Sequence, residues 1–213
     1  MDIIKKIKNY INFRIKNPNS DVFKKLDIYQ LNHKSSVIDL GAHDGTISEF
    51  FLKKGCKVFA FEPNPNLYSE ILEKKKKYKN LECFNLGVNS TSGTFNLYLK
   101  EDKITKEIKT DSQASSILKS KINVSNEKSI QIKCITFENI ISITGPVDLV
   151  KIDIEGAEYE IYDELLKHSD KFNNCIIELH NKKFPDTIEH KHNDMLNKIK
   201  NHKNYKKFNL GYI

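Results

Sequence analysis

The sequence predicts an α/β fold, a mostly parallel central sheet with helices on both faces, preceded by an N-terminal helical extension. Three observations point to it. Val37, Ile38 and Leu40 are apolar enough for a strand buried on both faces, as parallel strands are. Gly41 and Gly45 then bracket a turn into an apolar-periodic helix, Ile47 to Leu52. The same order of apolar run, glycine and helix returns at Val147 to Lys167, around Gly156. At 213 residues the chain holds one such domain with a sizeable core, without internal repeats. Residues 1–33 read as helices packed on the core, and 34–213 as the domain itself.

Taken in order, MDIIKKIKNYINFRIK places Ile3, Ile4, Ile7, Tyr10, Ile11 and Ile15 at helical spacing with Lys on the other side. A helix packed on the domain is the default. A basic amphipathic helix also suits an anionic membrane surface, and residues 1–16 keep that as the lesser alternative. Asn17 to Ser20 ends this helix, and Ser20 is placed to cap the next, running towards Leu31. After the glycine turn comes a second strand, VFAFE, ending at Glu62, where Pro63 blocks its continuation. Next come a helix from Asn66 to Tyr78, a strand from Leu81 to Val88, a turn at Ser90 to Gly93 and a strand from Thr94 to Leu99. Residues 100 to 128 are polar, and a connection that long is usually functional or disordered. Its Ser112, Ser115 and Ser116 are candidates to face a polar substrate, with a surface loop the equal alternative. A strand from Ile130 to Ile135 and a short helix from Phe137 to Ile141 lead to the strand Val147 to Ile154, the helix from Ala157 to Lys167 and the strand Cys175 to His180.

The first chemical centre lies in VIDLGAHDG, from Val37 to Gly45. Glycine lets the backbone turn tightly and lets a ligand lie against the main chain. About twenty residues on, Glu62 stands where a carboxylate accepts both ribose hydroxyls of a bound nucleoside. A dinucleotide site would carry G-x-G-x-x-G for the pyrophosphate; here His43 holds the second glycine position and Asp44 sits beside it. Two acids, Asp39 and Asp44, suit a cation better than a pyrophosphate. S-adenosylmethionine carries an ammonium and a sulfonium and no phosphate, so it is the expected cofactor. Its candidate contacts are Asp39, Gly41, Ala42, His43, Asp44, Gly45, Glu62 and Pro63, with Gly87 and Val88 at the end of a later strand.

The second centre is VDLVKIDIEGAE, where Lys151, Asp153 and Glu155 alternate near a strand's C-terminal end. Charges there are costly unless they border a ligand crevice. A plain ion pair of Lys151 with one acid, and Glu155 or Glu158 satisfying the next helix N-terminus, is the structural alternative. The third centre is CIIELH, with Glu178 and His180 two apart on one face. A satisfied core histidine competes with an imidazole that Glu178 orients for acid–base work.

The net charge of +7 comes almost entirely from Lys alongside abundant Asn and Ile, a compositional bias rather than a nucleic-acid signature. The Lys74 to Lys77 run reads as a solvated helix face. Cys56, Cys83, Cys134 and Cys175 form no C-x-x-C, so reduced structural thiols are expected. His190 and His192 lack supporting ligands, so no metal site is assigned to them. No run approaches a membrane span, no signal peptide is recognisable, and a cytoplasmic location is expected.

With DLGAHDG, FEPNP and KIDIEGAE in view, the chain resembles the FkbM family of S-adenosylmethionine-dependent methyltransferases over roughly Ser36 to His180. The resemblance implies a Rossmann-like class I methyltransferase fold, cofactor binding by Asp39, Gly41 and Glu62, and O-methylation of a sugar or other hydroxylated small molecule. Two departures stand out: His43 replaces a frequent Asn, and YKKFNLGYI leaves little chain for the usual antiparallel last strand. The sheet edge is therefore expected to be shortened, or completed by another domain or a second copy. A sulfonium methyl needs an aligned oxygen and a base. Asp153 or His180 is the expected base, with Glu178 orienting His180, Lys151 steadying the acids or the alkoxide, and Glu155 beside them. Some related sugar methyltransferases hold hydroxyls on Mg²⁺, which makes Mg²⁺ a lesser expectation with Asp153 as its acid. An RNA methyltransferase, favoured only by basic charge, and an inactive cofactor-binding module are the alternatives.

Overall fold

In the computed structural model the described residues are 21–102, 107–109, 114–185 and 188–210. The basic helix expected within residues 1–16, the Ser20 cap and Ser112 lie outside them.

Strands β1 (Ser36–Leu40), β2 (Lys57–Phe61), β3 (Leu81–Phe84), β8 (Val147–Ile152), β9 (Phe172–Ile177) and β10 (Phe208–Leu210) form one sheet in the order β10-β9-β8-β1-β2-β3, every pair parallel. A parallel pair needs a crossover, and helices supply it on both faces. Helices α1 (Asp21–Asp27), α2 (Thr46–Lys53) and α3 (Pro65–Lys77) pack Phe23, Leu26, Phe51 and Ile71 onto the face bearing Val37, Val58 and Leu149. Helices α4 (Phe137–Thr144), α5 (Glu158–Lys167) and α6 (Glu189–Asn201) pack Ile140, Ile161, Leu165 and Met195 onto the face bearing Ile38, Phe59, Val150 and Cys175. This is the mostly parallel, Rossmann-like α/β sheet that the sequence predicts. The helix expected to run towards Leu31 stops at Asp27.

Register places the chemistry. Leu40 lies opposite Phe61 on one side and Ile152 on the other, and Ile152 opposite Ile177, so four strands end level. Strand order reverses between β1 and β8, and ligands of open α/β sheets bind outside the carboxyl ends at such a switch point.

A second sheet goes beyond the sequence expectation. Strand β4 (Gly87–Val88) pairs with β7 (Val124–Ile135), β7 pairs antiparallel with β5 (Gly93–Glu101), and β5 with β6 (Ile108–Lys109). The strand expected from Leu81 to Val88 is therefore two strands in two sheets. Asn85 lies between them and donates its side-chain amide to the carbonyls of Glu62 and Pro63, at 2.9 Å each. Strand β7 is twice the expected length because it starts at Val124, opposite Lys100 of β5, and after an irregularity resumes its pairing at Ser129, opposite Tyr98.

The C-terminal edge is short, as expected, but differs from the usual last strand in sense. Strand β10 has three residues and runs parallel to β9, with Phe208 opposite Cys175. The four cysteines are buried and unpaired. No helix among the described residues is long and apolar enough to cross a membrane.

Candidate functional site

The turn after β1 is built for close approach. Gly41 and Ala42 both donate their N–H to the Phe61 carbonyl, at 3.0 and 3.1 Å, which ties the turn to the end of β2. Gly41 (φ +73°), His43 (φ +54°) and Gly45 (φ +77°) all occupy the left-handed region. A Cβ on Gly41 would stand 1.8 Å from the Asp153 carbonyl oxygen, so only glycine lets the loops after β1 and β8 meet.

Glu62 closes this cradle. Its Oε2 accepts from the His43 N–H and its Oε1 from the Asn64 N–H, each at 2.9 Å. Burial pushes its carboxyl up, and those two N–H groups only partly offset this, leaving it at about 7. A carboxylate offers roughly four lone-pair sites, so two remain for hydroxyl donors. The cradle therefore fits the ribose of S-adenosylmethionine, with Glu62 as its acceptor and bare backbone at Gly41 beside it. Pro63 lies against Gly87, whose missing side chain also accommodates Cys134. Gly87 and Val88 belong to the second sheet and pair with Cys134 and Ile135, a packing role in the wall behind Pro63.

The two acids read from the sequence as partners for the cofactor's positive charge are both taken by protein. Asp39 is fully buried; its Oδ2 accepts from Ser48 Oγ at 2.7 Å and its Oδ1 lies 3.1 Å from Lys151 Nζ. Asp44 accepts from both the N–H and the hydroxyl of Thr46 at 2.9 Å, capping the start of α2, where Gly45 has no side chain to do so. Burial raises the Asp44 carboxyl, but His43 and Thr46 overcome it and hold it at about 2. Asp39 and Asp44 are thus held by the turn's own groups and shape it from beneath.

Lys151 likewise belongs to the turn. Its fully buried ammonium donates to the Gly41 carbonyl at 3.0 Å, pairs with Asp39 and stands 3.7 Å from Asp153 Oδ2. Burial alone would lower it, yet Asp39 and Asp153 hold it above the ordinary lysine value. The ion-pair alternative noted for Lys151 is the one the structure places here, and it welds β1 to β8.

Beyond the strand ends, Asp153, Glu155, Glu178 and His180 converge. Alternation along a strand is not the cause: β8 stops at Ile152 and β9 at Ile177. The backbone turns instead, with Glu155 at φ +54° and His180 at the start of a 3₁₀ turn, Asn181–Lys183. His180 Nε2 lies 3.6 Å from Asp153 Oδ1, 3.4 Å from Glu155 Oε2 and 3.5 Å from Glu178 Oε1. Its Nδ1 lies 3.0 Å from Glu158 Oε1, which also accepts the His180 N–H. Glu158, not Glu178, therefore orients the ring. Desolvation would lower the imidazole, but Glu158 and Glu178 carry it up to about 10. Burial raises Asp153 to about 7, with Glu178 and Glu155 adding to it against Lys151.

Glu158 also takes the Gly156 N–H at 2.8 Å, the helix N-terminal role that the sequence offered it, and so reaches back to fix both loops. The role of Lys121 had no sequence signal. Lys121, buried in the polar region, donates to Glu155 Oε2 and to the Ala114 carbonyl at 2.6 Å each. Ser116 donates its hydroxyl to the Glu155 carbonyl at 2.7 Å and Ser115 accepts from the Lys100 N–H, so these serines pin the 114–122 segment instead of facing a substrate. His192 Nδ1 lies 3.3 Å from the Tyr159 hydroxyl.

The family model described as the methyltransferase FkbM domain matches residues 39–207. Among solved structures, the chain is similar to a methyltransferase FkbM from Methylobacillus flagellatus KT at 14% identity and a TM-score of 0.43, covering 65% of this chain and only 32% of that one. It is similar to the precorrin-6y C5,15-methyltransferase of Geobacter metallireducens GS-15 at 14% identity and a TM-score of 0.44, over 85% of this chain and 69% of the other. A SAM-dependent methyltransferase from Aquifex aeolicus matches at 20% identity and a TM-score of 0.30, over 41% and 52%. No curated protein matches the chain.

Proposed function

Because the chain belongs to the FkbM methyltransferase domain family, we propose that it transfers a methyl group from S-adenosylmethionine to a hydroxyl of a sugar, glycan or other polar small molecule. The observation that carries this reading is the cluster of acids just past the ends of β8 and β9, whose Asp153 backbone abuts Gly41 of the cradle. Bound in that cradle, the cofactor supplies a methyl already activated on sulfur.

The chain's own residues do the rest. Glu62 and the turn from Gly41 to Gly45 hold the cofactor's ribose against bare backbone. Asp153 is the acid open to an acceptor: its side chain is 27% exposed, whereas the His180 ring is 0% exposed. Of the two base candidates, Asp153 is therefore the one that meets the acceptor hydroxyl and takes its proton as the methyl leaves sulfur. Glu178, 18% exposed, offers a second acceptor for a neighbouring hydroxyl, which suits a polyol better than a lone alcohol.

Radiolabelled S-adenosylmethionine with a panel of sugars and glycosides tests the reading. Transfer to a hydroxylated acceptor, reduced about 100-fold or more in Asp153→Asn, supports it. Cofactor binding by calorimetry that survives in Glu62→Gln at full strength would remove its foundation.

A further inference from the structure

We propose that Asp153, Glu155 and His180 form a binding site for a divalent first-row transition metal ion, with Glu178 beside it. Their ligand atoms, two carboxylate oxygens and the imidazole Nε2, all lie within 4.8 Å of one another.

Three observations converge on a cation. The first is an unpartnered atom: His180 is 1% exposed, and its Nε2 has no hydrogen-bond partner although three carboxylates surround it. The second is distance. The separations of 3.4, 3.5 and 3.6 Å from Nε2 to Glu155, Glu178 and Asp153 match what two ligands of one ion show. Ligands about 2.1 Å from a metal at the tetrahedral angle stand about 3.4 Å apart. The third is the ring's other side. Nδ1 faces Glu158, whose carboxylate is fully buried and also holds the His180 N–H, so the Nδ1 proton is fixed there and Nε2 is the nitrogen that faces the cluster, where an ion takes the place of its proton. A carboxylate behind a metal-ligating imidazole is the usual outer support of such ligands.

Charge agrees. Asp39, Asp153, Glu155, Glu158 and Glu178 face the ammonium groups of Lys121, Lys151 and Lys183. The five carboxylates outnumber the three ammonium groups by two; the imidazolium offsets one of these charges, and a divalent ion that displaces its Nε2 proton offsets both. The imidazole nitrogen selects the class of ion. Mg²⁺, the lesser sequence expectation, prefers oxygen ligands and keeps its waters, whereas mixed imidazole and carboxylate sets suit Mn²⁺, Fe²⁺ or Zn²⁺. An ion on the Oδ1 side of Asp153 leaves Oδ2 to take the acceptor's proton and offers the metal itself to the acceptor oxygen. Only that last role rests on the proposed methyl transfer; ion binding does not.

The test is titration of chelator-treated protein with Mn²⁺, read by the loss of the free-ion electron paramagnetic resonance signal. One saturable site in the micromolar range is expected, competed by Zn²⁺ and not by equal Mg²⁺. Asp153→Asn, near-isosteric and partly exposed, should weaken it at least 10-fold, and His180→Gln likewise where circular dichroism shows it folded. No saturable Mn²⁺ binding below millimolar, equal competition by Mg²⁺, or unchanged affinity in folded Asp153→Asn would each overturn the site. Calorimetry with S-adenosylmethionine on the same samples separates the two readings. Intact cofactor binding without Mn²⁺ binding rejects the ion alone, and loss of cofactor binding rejects the methyltransferase reading without touching the ion.

Discussion

Gly41 shows how much of the site hangs on one missing side chain. Its φ of +73° and the 1.8 Å that would separate an added Cβ from the Asp153 carbonyl oxygen make two demands that alanine fails together. Gly41→Ala is expected to lower stability by about 3 kcal/mol or more, seen as a shift in the denaturant midpoint at constant slope. A shift under about 1 kcal/mol would mean that β1 and β8 separate easily at their ends. The glycine was legible in the sequence as part of a turn, because such turns need it. That it faces Asp153 across the switch point was not, since 112 positions of chain separate the two.

Lys151 ties two elements that the sequence places far apart. It holds Asp39 of β1 and the carbonyl of Gly41 while standing on β8, all inside the core. Removing one partner of a buried pair strands the other charge. Lys151→Met should therefore destabilise by about 3–5 kcal/mol, and adding Asp39→Asn should return part of it, a coupling measurable in a double-mutant cycle. Full additivity would show that the two groups act independently. At this scale the strand–turn–helix order, the Glu62 position and the KIDIEGAE turn were all readable, because period and glycine placement are local. The partition of Leu81 to Val88 between two sheets was not. Asn85 diverts the chain through its bonds to the carbonyls of Glu62 and Pro63, and no local pattern marks it.

For the molecule as a whole, Glu62 makes stability depend on pH. Its folded value of about 7 stands above the ordinary 4.5, so the folded state binds this proton more tightly than the unfolded chain does. The contribution is fully present below pH 4.5 and fades as pH rises to about 7, by on the order of 3 kcal/mol. The stability difference between the unliganded wild type and Glu62→Gln, followed from pH 4 to 8, should fall across that window and level off above it. A difference independent of pH would mean that the carboxyl titrates alike in the folded and unfolded chain. Hydroxyl donors from a bound ribose favour the charged form, so saturating cofactor should flatten the same curve.

The sequence by itself determined the layered α/β architecture, the glycine turn after β1, the place of Glu62 at the end of β2 and the family, because buried parallel strands, left-handed turns and acids at strand ends each leave a short-range imprint. Only the tertiary structure decided which charges are spent and which are open. Asp39 and Asp44 went to Lys151, Ser48 and Thr46, and Glu158 rather than Glu178 took the His180 Nδ1 side. Lys121 came from the polar region to Glu155. A buried charge is settled by whatever partner the folded chain brings within about 3 Å, and that distance is set by sheet order and crossover, not by neighbours in sequence.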